Sequence, residues 1–240
     1  MKKISINKLL NLDRKYYLIT LGMLYSTIFF SSFIMGYKVV DFHHHLLCAS
    51  VFIFPLLFPI NDSITEIFGL QVTYLLIATT IFCEFLFSTL THTVASFPSP
   101  ELWPNQNMYL SLTDGFFKIA AADSFSLAIS FIINAHFLKK WGIKLSGKNF
   151  FIRSLGATAI GEFVFTIITN FIAFKSFEVA NLSETLNIIF SDYIFKMIYS
   201  FLFCIPNALF VHRLKIIFKK SNPDNDKIIA FSQIKPRYQN

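Results

Sequence analysis

The chain has 240 residues, 54% of them hydrophobic and 15% charged, with 31 phenylalanines and a formal net charge of +7. Soluble domains carry about 25% charged residues, so a composition this apolar excludes a soluble core: too little polar surface would remain to cover it. The basic excess does not read as a nucleic-acid patch either, because the lysines and arginines cluster at the ends of apolar runs.

Runs of about 20 apolar residues are long enough to cross a bilayer as helices. Six are read in chain order: 17–37, 44–61, 72–92, 115–138, 152–174 and 187–212. The expected fold class is all-α, a polytopic integral membrane protein whose six transmembrane helices form one bundle. The lengths leave no room for a separate soluble domain. Only the N-terminal segment and the tail from Lys219 read as soluble, and 219–240 reads as a polar cytoplasmic tail.

Lys2, Lys3, Lys8, Arg14 and Lys15 precede the first run, as in a signal peptide. That run is about 20 residues long and closes on Met35-Gly36-Tyr37-Lys38 instead of a small-residue cleavage site. It is read as a retained first helix. His43-His44-His45 follow; adjacent histidines do not share a helical face, and the segment reads as a solvated loop, not a metal site. The second run holds Pro55 and Pro59 and ends on Asp62 and Glu66, four residues apart. Prolines disturb the backbone ladder, and irregular backbone at membrane depth is tolerated where it lines a cavity. Two acids on one turn repel, so at least one is expected to meet a cation or a donor. Glu66 reads alternatively as an ordinary interfacial charge.

Residues three or four apart share one face of a helix. The third run places Thr73, Thr80, Glu84, Ser88 and Thr91 on such a face, and the fourth Asp123, Ser126, Ser130 and Asn134. The fifth contributes Thr158, Glu162, Thr166 and Thr169, and the sixth Asp192, Lys196, Ser200 and Asn207. Four such stripes can enclose a wet cavity. Hydroxyls alone read as hydrogen-bonding glue between helices. Charges do not, because each one inside an apolar span costs about 2.5–3.5 kcal/mol on insertion scales and glue does not need it. Asp62, Glu66, Glu84, Asp123, Glu162, Asp192 and Lys196 are therefore read as turned toward a shared polar interior that binds or moves a polar solute. Asp192 and Lys196 have the i, i+4 order that favours an intrahelical ion pair. Such a pair either neutralises itself or holds Asp192 in a fixed pose for a ligand.

Cys48, Cys83 and Cys204 fall in three different spans with no CxxC spacing, so no disulfide framework is implied. No Walker loop, GxSxG elbow, HExxH or dinucleotide fingerprint is present, which argues against an ATP-driven mechanism within the chain. Basic residues crowd the N-terminus, the loop with Lys139, Lys140, Lys144 and Lys148, with Arg153 at the next span's mouth, and the C-terminus from Arg213 on. The stretch 93–117 has none. The positive-inside rule then puts both termini in the cytoplasm, with the 62–71 turn on the same side although it holds no basic residue.

At this point the residues match a known family pattern. FIFPLLFPINDSITEIFG (52–69) resembles the second-span signature of the queuosine precursor transporters, a vitamin-uptake-like family. SDYIFKMIYSFLFCIPNALF (191–210) is similar to the family's last span, with its Asp-Tyr-x-x-Lys and later proline. Segments 118–137 and 153–174 are similar to its fourth and fifth spans. The pattern departs at Lys118, where an Arg is usual, at Ser130-Phe131 and Asn134, and at Glu162 and Phe165, which replace Gln and Asp. Glu84 and Asp123 have no recognised counterpart.

The resemblance implies import across the bacterial inner membrane of a 7-deazaguanine, namely preQ0, preQ1 or queuine, by six helices similar to energy-coupling-factor S-components. The implied partners are a purine-like small molecule and the lipid bilayer, with no nucleic acid and no cofactor; a homo-oligomer and an energising partner stay open. A guanine-like ring offers two parallel donors to one carboxylate. Asp192 or Glu162 is expected at that ring edge, with Asp62 and Glu66 as gate or second acid and Tyr193 as a stacking ring or hydroxyl. Lys196, Asn134 and Asn207 complete the expected substrate-binding set. Three alternatives stay open: uptake of another polar solute such as a vitamin, a non-transporting membrane scaffold, and an intramembrane enzyme built on Asp62 and Asp192.

Overall fold

The computed structural model describes residues 14–36, 38–42, 45–177 and 182–221. Helix α1 (Arg14–Met35) leads into a short antiparallel hairpin, β1 (Val39–Phe42) and β2 (His45–Cys48). Val39 pairs with Cys48 and Phe42 with His45. Two 3₁₀ turns follow, Ala49–Phe52 and Phe54–Leu56, before α2 (Leu57–Phe68). Then come α3 (Leu70–Ala95), α4 (Gln106–Lys144), α5 (Phe150–Phe177) and α6 (Leu182–Ser221).

Among the described residues, six stretches are long and apolar enough to cross a membrane, the number the sequence reading expects. The second differs in kind. Instead of a helix over 44–61, strand β2, two 3₁₀ turns and a 12-residue helix share the run. Hydropathy alone does not separate a buried strand from a buried helix. The prolines account for the rest. Pro55 sits at the start of the second 3₁₀ turn and Pro59 in the first turn of α2, where their missing N–H groups break no completed ladder. Asp62 and Glu66 consequently lie within α2, not in a loop. The expected 62–71 turn shrinks to Gly69, whose φ of 92° lets α2 end and α3 begin within one residue.

This second span is the centre of the bundle. Two-thirds of it (67%) is buried, against 22–44% for the other five, and α2 touches all five other helices. Tyr25, Phe54, Phe58, Phe131 and Phe165 surround it in one core cluster. Gly161 of α5 permits the tightest approach there: a Cβ would lie 2.6 Å from Phe58 Cε1 and 3.2 Å from the Ser130 carbonyl of α4. Large apolar side chains such as Leu75, Phe82, Phe163 and Leu209 are exposed on the outside, where hydrocarbon would cover them.

α4 begins at Gln106, not near 115. Pro104 and Asn105 are the last helix-breaking residues, and the mixed polar stretch after them is helical although it is not apolar. Gln106 folds back to donate to the Ala95 carbonyl (2.8 Å) at the end of α3. His43 and His44, the segment 178–181, residues 1–13 and the tail from 222 lie outside the described residues. The readings of a histidine loop and a polar tail fall there except at their edges, where His45 opens β2 and residues 219–221 still belong to α6.

Candidate functional site

The polar stripes all face inward. Thr73, Thr80, Glu84, Ser88, Ser126, Ser130, Asn134, Thr158, Glu162, Thr166, Asp192, Lys196 and Ser200 are buried, and Asp123 and Asn207 half-buried. Many hydroxyls are consumed locally, however. Thr80, Ser88 and Thr91 donate to carbonyls of their own helix at 2.7–2.9 Å. The middle of the bundle, expected to be wet, is filled by stacked rings: Phe54 on Phe165 at 4.0 Å and Phe58 on Phe131 at 4.3 Å. A chain with 31 phenylalanines supplies bulk enough to close the space between its acids. The depression of about 350 Å³ formed by Tyr193, Ile194, Met197, Ile198, Phe201 and Leu202 lies instead on the apolar outer surface of α6.

The acids are spread over distinct levels, beginning at the end of the bundle where α1 starts and α6 finishes. Glu66 is gripped there by two cations. Arg153 Nη2 and Nη1 donate to its two carboxylate oxygens at 2.9 and 3.1 Å, and Lys215 Nζ binds Oε1 as well. A fork–fork pair of this kind is the strong form of a charge-assisted hydrogen bond. Arg153 is 1% exposed and donates further to the carbonyls of Lys148 (2.9 Å), Gly147 (3.2 Å) and Leu138 (3.3 Å). One side chain thus ties α2, α4, the α4–α5 loop and α5 together. Beside it Arg14 donates to the Ile67 carbonyl and lies over the Phe68 and Phe218 rings. The sequence reading counted Arg153 as a topogenic charge; an arginine opening an apolar run was the signal for more.

One turn inward, Asp62 Oδ2 accepts from Ser154 Oγ (2.5 Å) and Thr158 Oγ1 (3.3 Å) of α5, while Oδ1 has no hydrogen-bond partner among the described residues. Asn134 lies beside it without completing a hydrogen bond. Asn207 of α6 holds the start of α2, donating to the Pro59 carbonyl (2.8 Å) and accepting from Ser63 (2.5 Å).

The next level centres on Lys196. It makes no ion pair with Asp192, although their spacing allows one. Its ammonium donates to Thr166 Oγ1 (3.2 Å) and sits 4.9 and 5.5 Å from the centroids of Phe165 and Phe54. Asp192, Glu162 and Asp123 are all within its electrostatic reach. Glu162 is fully buried and neither of its oxygens has a hydrogen-bond partner among the described residues; Asp192, next to Asn170 and the Cys48 backbone, keeps one such oxygen. Tyr193 is not brought into this group. Its ring packs on Phe163 at the outer face and its hydroxyl donates to the Ala159 carbonyl (3.3 Å).

Asp62 is held at Ser154 and Thr158 and Asp192 beside Asn170, all on α5. Twelve helical residues from Thr158 to Asn170 span about 18 Å. Two aspartates that far apart cannot share one proton, so the geometry does not form an aspartyl dyad.

Residues 48–211, more than half of the chain, match the profile of a family described as "Putative vitamin uptake transporter". The chain belongs to that family. No curated protein and no solved structure matches it. The match begins at Cys48 and ends at Val211, so it takes in α2, the Lys196 group and most of the Arg153 clasp, leaving Lys215 outside. The transporter is thus a multi-pass membrane protein.

Proposed function

We propose that the transporter imports a 7-deazaguanine precursor of queuosine (preQ0, preQ1 or queuine) across the bacterial inner membrane for tRNA modification, with both termini in the cytoplasm. The observation that carries this reading is the imbalance of charge at the ring pair. Lys196 is the one cation, among the described residues, in electrostatic reach of Glu162, Asp192 and Asp123, and Glu162 keeps both oxygens unpartnered. Such a site favours a ligand rich in donors. A guanine-like edge presents a ring N–H beside an exocyclic amine, and one carboxylate accepts both.

In this reading Glu162 takes the ring edge and the Phe54–Phe165 stack parts to hold the flat base, a contact worth about 1–3 kcal/mol per base elsewhere. Asp192 attracts a cationic aminomethyl group such as that of preQ1. Lys196 holds the acids together until the ligand arrives. Asp62 and Asn134 form the next polar step toward the cytoplasm, with Asn207 fixing the start of α2. The Glu66 clasp with Arg153 and Lys215 closes that end, and release requires it to open. Tyr193 sets the seat of α6 on α5 instead of stacking on the base.

The test is uptake of labelled precursor, and the queuosine content of tRNA, in cells unable to make it. Losing a hydrogen-bonded charge weakens a contact by about 1.5–3 kcal/mol, so Glu162→Gln is expected to lower uptake efficiency about 10- to 100-fold at unchanged membrane abundance. Unaltered uptake in that variant removes Glu162 from the site. The family description favours a second reading, uptake of a vitamin or another small polar solute through the same residues. Wild-type uptake of such a solute and of none of the three bases would select it.

A further inference from the structure

Glu84 takes no part in the ring-edge recognition just described, and Asp123 is tied to it only through the charge of Lys196. Glu84 is fully buried on α3, within electrostatic reach of Asp123 on α4 and Tyr25 on α1. Its Oε2 accepts from Ser124 Oγ at 2.8 Å, and its Oε1 has no hydrogen-bond partner among the described residues. Tyr25, also fully buried, interacts electrostatically with this carboxyl group and has a hydroxyl without a hydrogen-bond partner. These are the titratable groups that face Glu84 among the described residues. Lys196 of α6 reaches Asp123. The site therefore has two acids and two neutral hydroxyls, those of Ser124 and Tyr25, and among the described residues no cation forms an ion pair with either acid.

We propose that Glu84, paired with Asp123, is a proton-binding site separate from the substrate slot, and that its proton couples uptake to the transmembrane pH gradient. The step is balanced simply: a proton adds to Glu84 Oε1, an O–H bond forms, and the site loses one negative charge. Two neighbouring carboxylates in an apolar setting favour sharing one proton over double ionisation. A hard metal cation would want about six oxygens, and no group of three or more His, Cys, Asp or Glu residues stands ready for a metal among the described residues. Asp123 provides the link. It is within electrostatic reach of both Glu84 and Lys196, so a donor-rich ligand that engages the acids around Lys196 alters the charge balance that holds the proton on Glu84.

The inference rests on the uptake reading for its transport arm only. Full-length wild type, Glu84→Gln and Asp123→Asn are reconstituted in vesicles. Infrared difference spectra over a pH titration are expected to lose one protonated-carboxyl band in Glu84→Gln. With an acidic exterior, wild type is expected to accumulate labelled 7-deazaguanine several-fold over equilibrium, collapsing with a protonophore. Glu84→Gln is expected to keep exchange of internal for external base while accumulation falls to the equilibrium ratio. Retained accumulation in Glu84→Gln, or wild-type accumulation that follows a sodium gradient, overturns the proposal. Should wild type carry none of the three bases, the substrate reading fails and the infrared arm decides alone, an unchanged spectrum overturning the proton site. Asp123→Asn, expected to alter the same band, serves if the glutamine variant folds poorly.

Discussion

Replacing Glu66 by glutamine removes one charge from a clasp in which Arg153 is 1% and Glu66 12% exposed. Breaking a buried ion pair by removing one partner costs about 3–5 kcal/mol, because the survivor is left uncompensated. The lower end applies here. Arg153 keeps three carbonyl acceptors, and the Lys215 bridge, with its lysine 39% exposed, adds no more than about 1 kcal/mol. Glu66→Gln is therefore expected to destabilise the fold by about 3 kcal/mol, roughly a 100-fold shift in the folded ratio. Arg153→Gln should cost at least as much, since Glu66 and three carbonyls lose donors together. The double variant leaves neither charge stranded, so its loss should fall short of the summed singles by about 2 kcal/mol. Reversible unfolding in mixed micelles measures all three. Losses that add to within about 0.5 kcal/mol would show the two groups to be energetically independent, and the clasp would then be no more than a contact.

Gly161→Ala places a methyl 2.6 Å from Phe58 Cε1 and 3.2 Å from a rigid carbonyl. Overpacking of this kind is worth about 1–3 kcal/mol, and a thermal melt of the purified protein in detergent should fall accordingly; an unchanged melt would mean that α4 and α5 yield freely. For orientation, a cysteine at Leu102, which is 98% exposed between α3 and α4, is expected to react with a membrane-impermeant thiol reagent on intact cells. Labelling only after the membrane is opened would invert the assigned topology.

The bundle itself was legible because six apolar runs and four inward polar stripes each follow a helical period. Position in the bundle was not. Nothing in a hydropathy window tells a central span from a peripheral one, and the second run looks like the others until its prolines are weighed against its burial. Arg153 was misjudged for a related reason: a basic residue at the mouth of a span has the same local sequence whether it faces headgroups or three carbonyls and a glutamate. The inward turn of the acids was readable from the cost of charge in hydrocarbon. That phenylalanines would close the space between them was not, because ring stacking between separate spans depends on rotations about helix axes that periodicity leaves free.

Gly69 has a mechanical consequence. With one residue between them, the facing ends of the middle helix and its successor cannot separate by more than about 7.6 Å, two virtual bonds of chain. The innermost segment and the neighbour that carries Glu84 therefore keep their joined ends together, whereas five residues separate α4 from α5. The short joint thus keeps the clasped carboxylate of Glu66, three residues before Gly69, on the same tethered pair of helices as Glu84, fifteen residues after it.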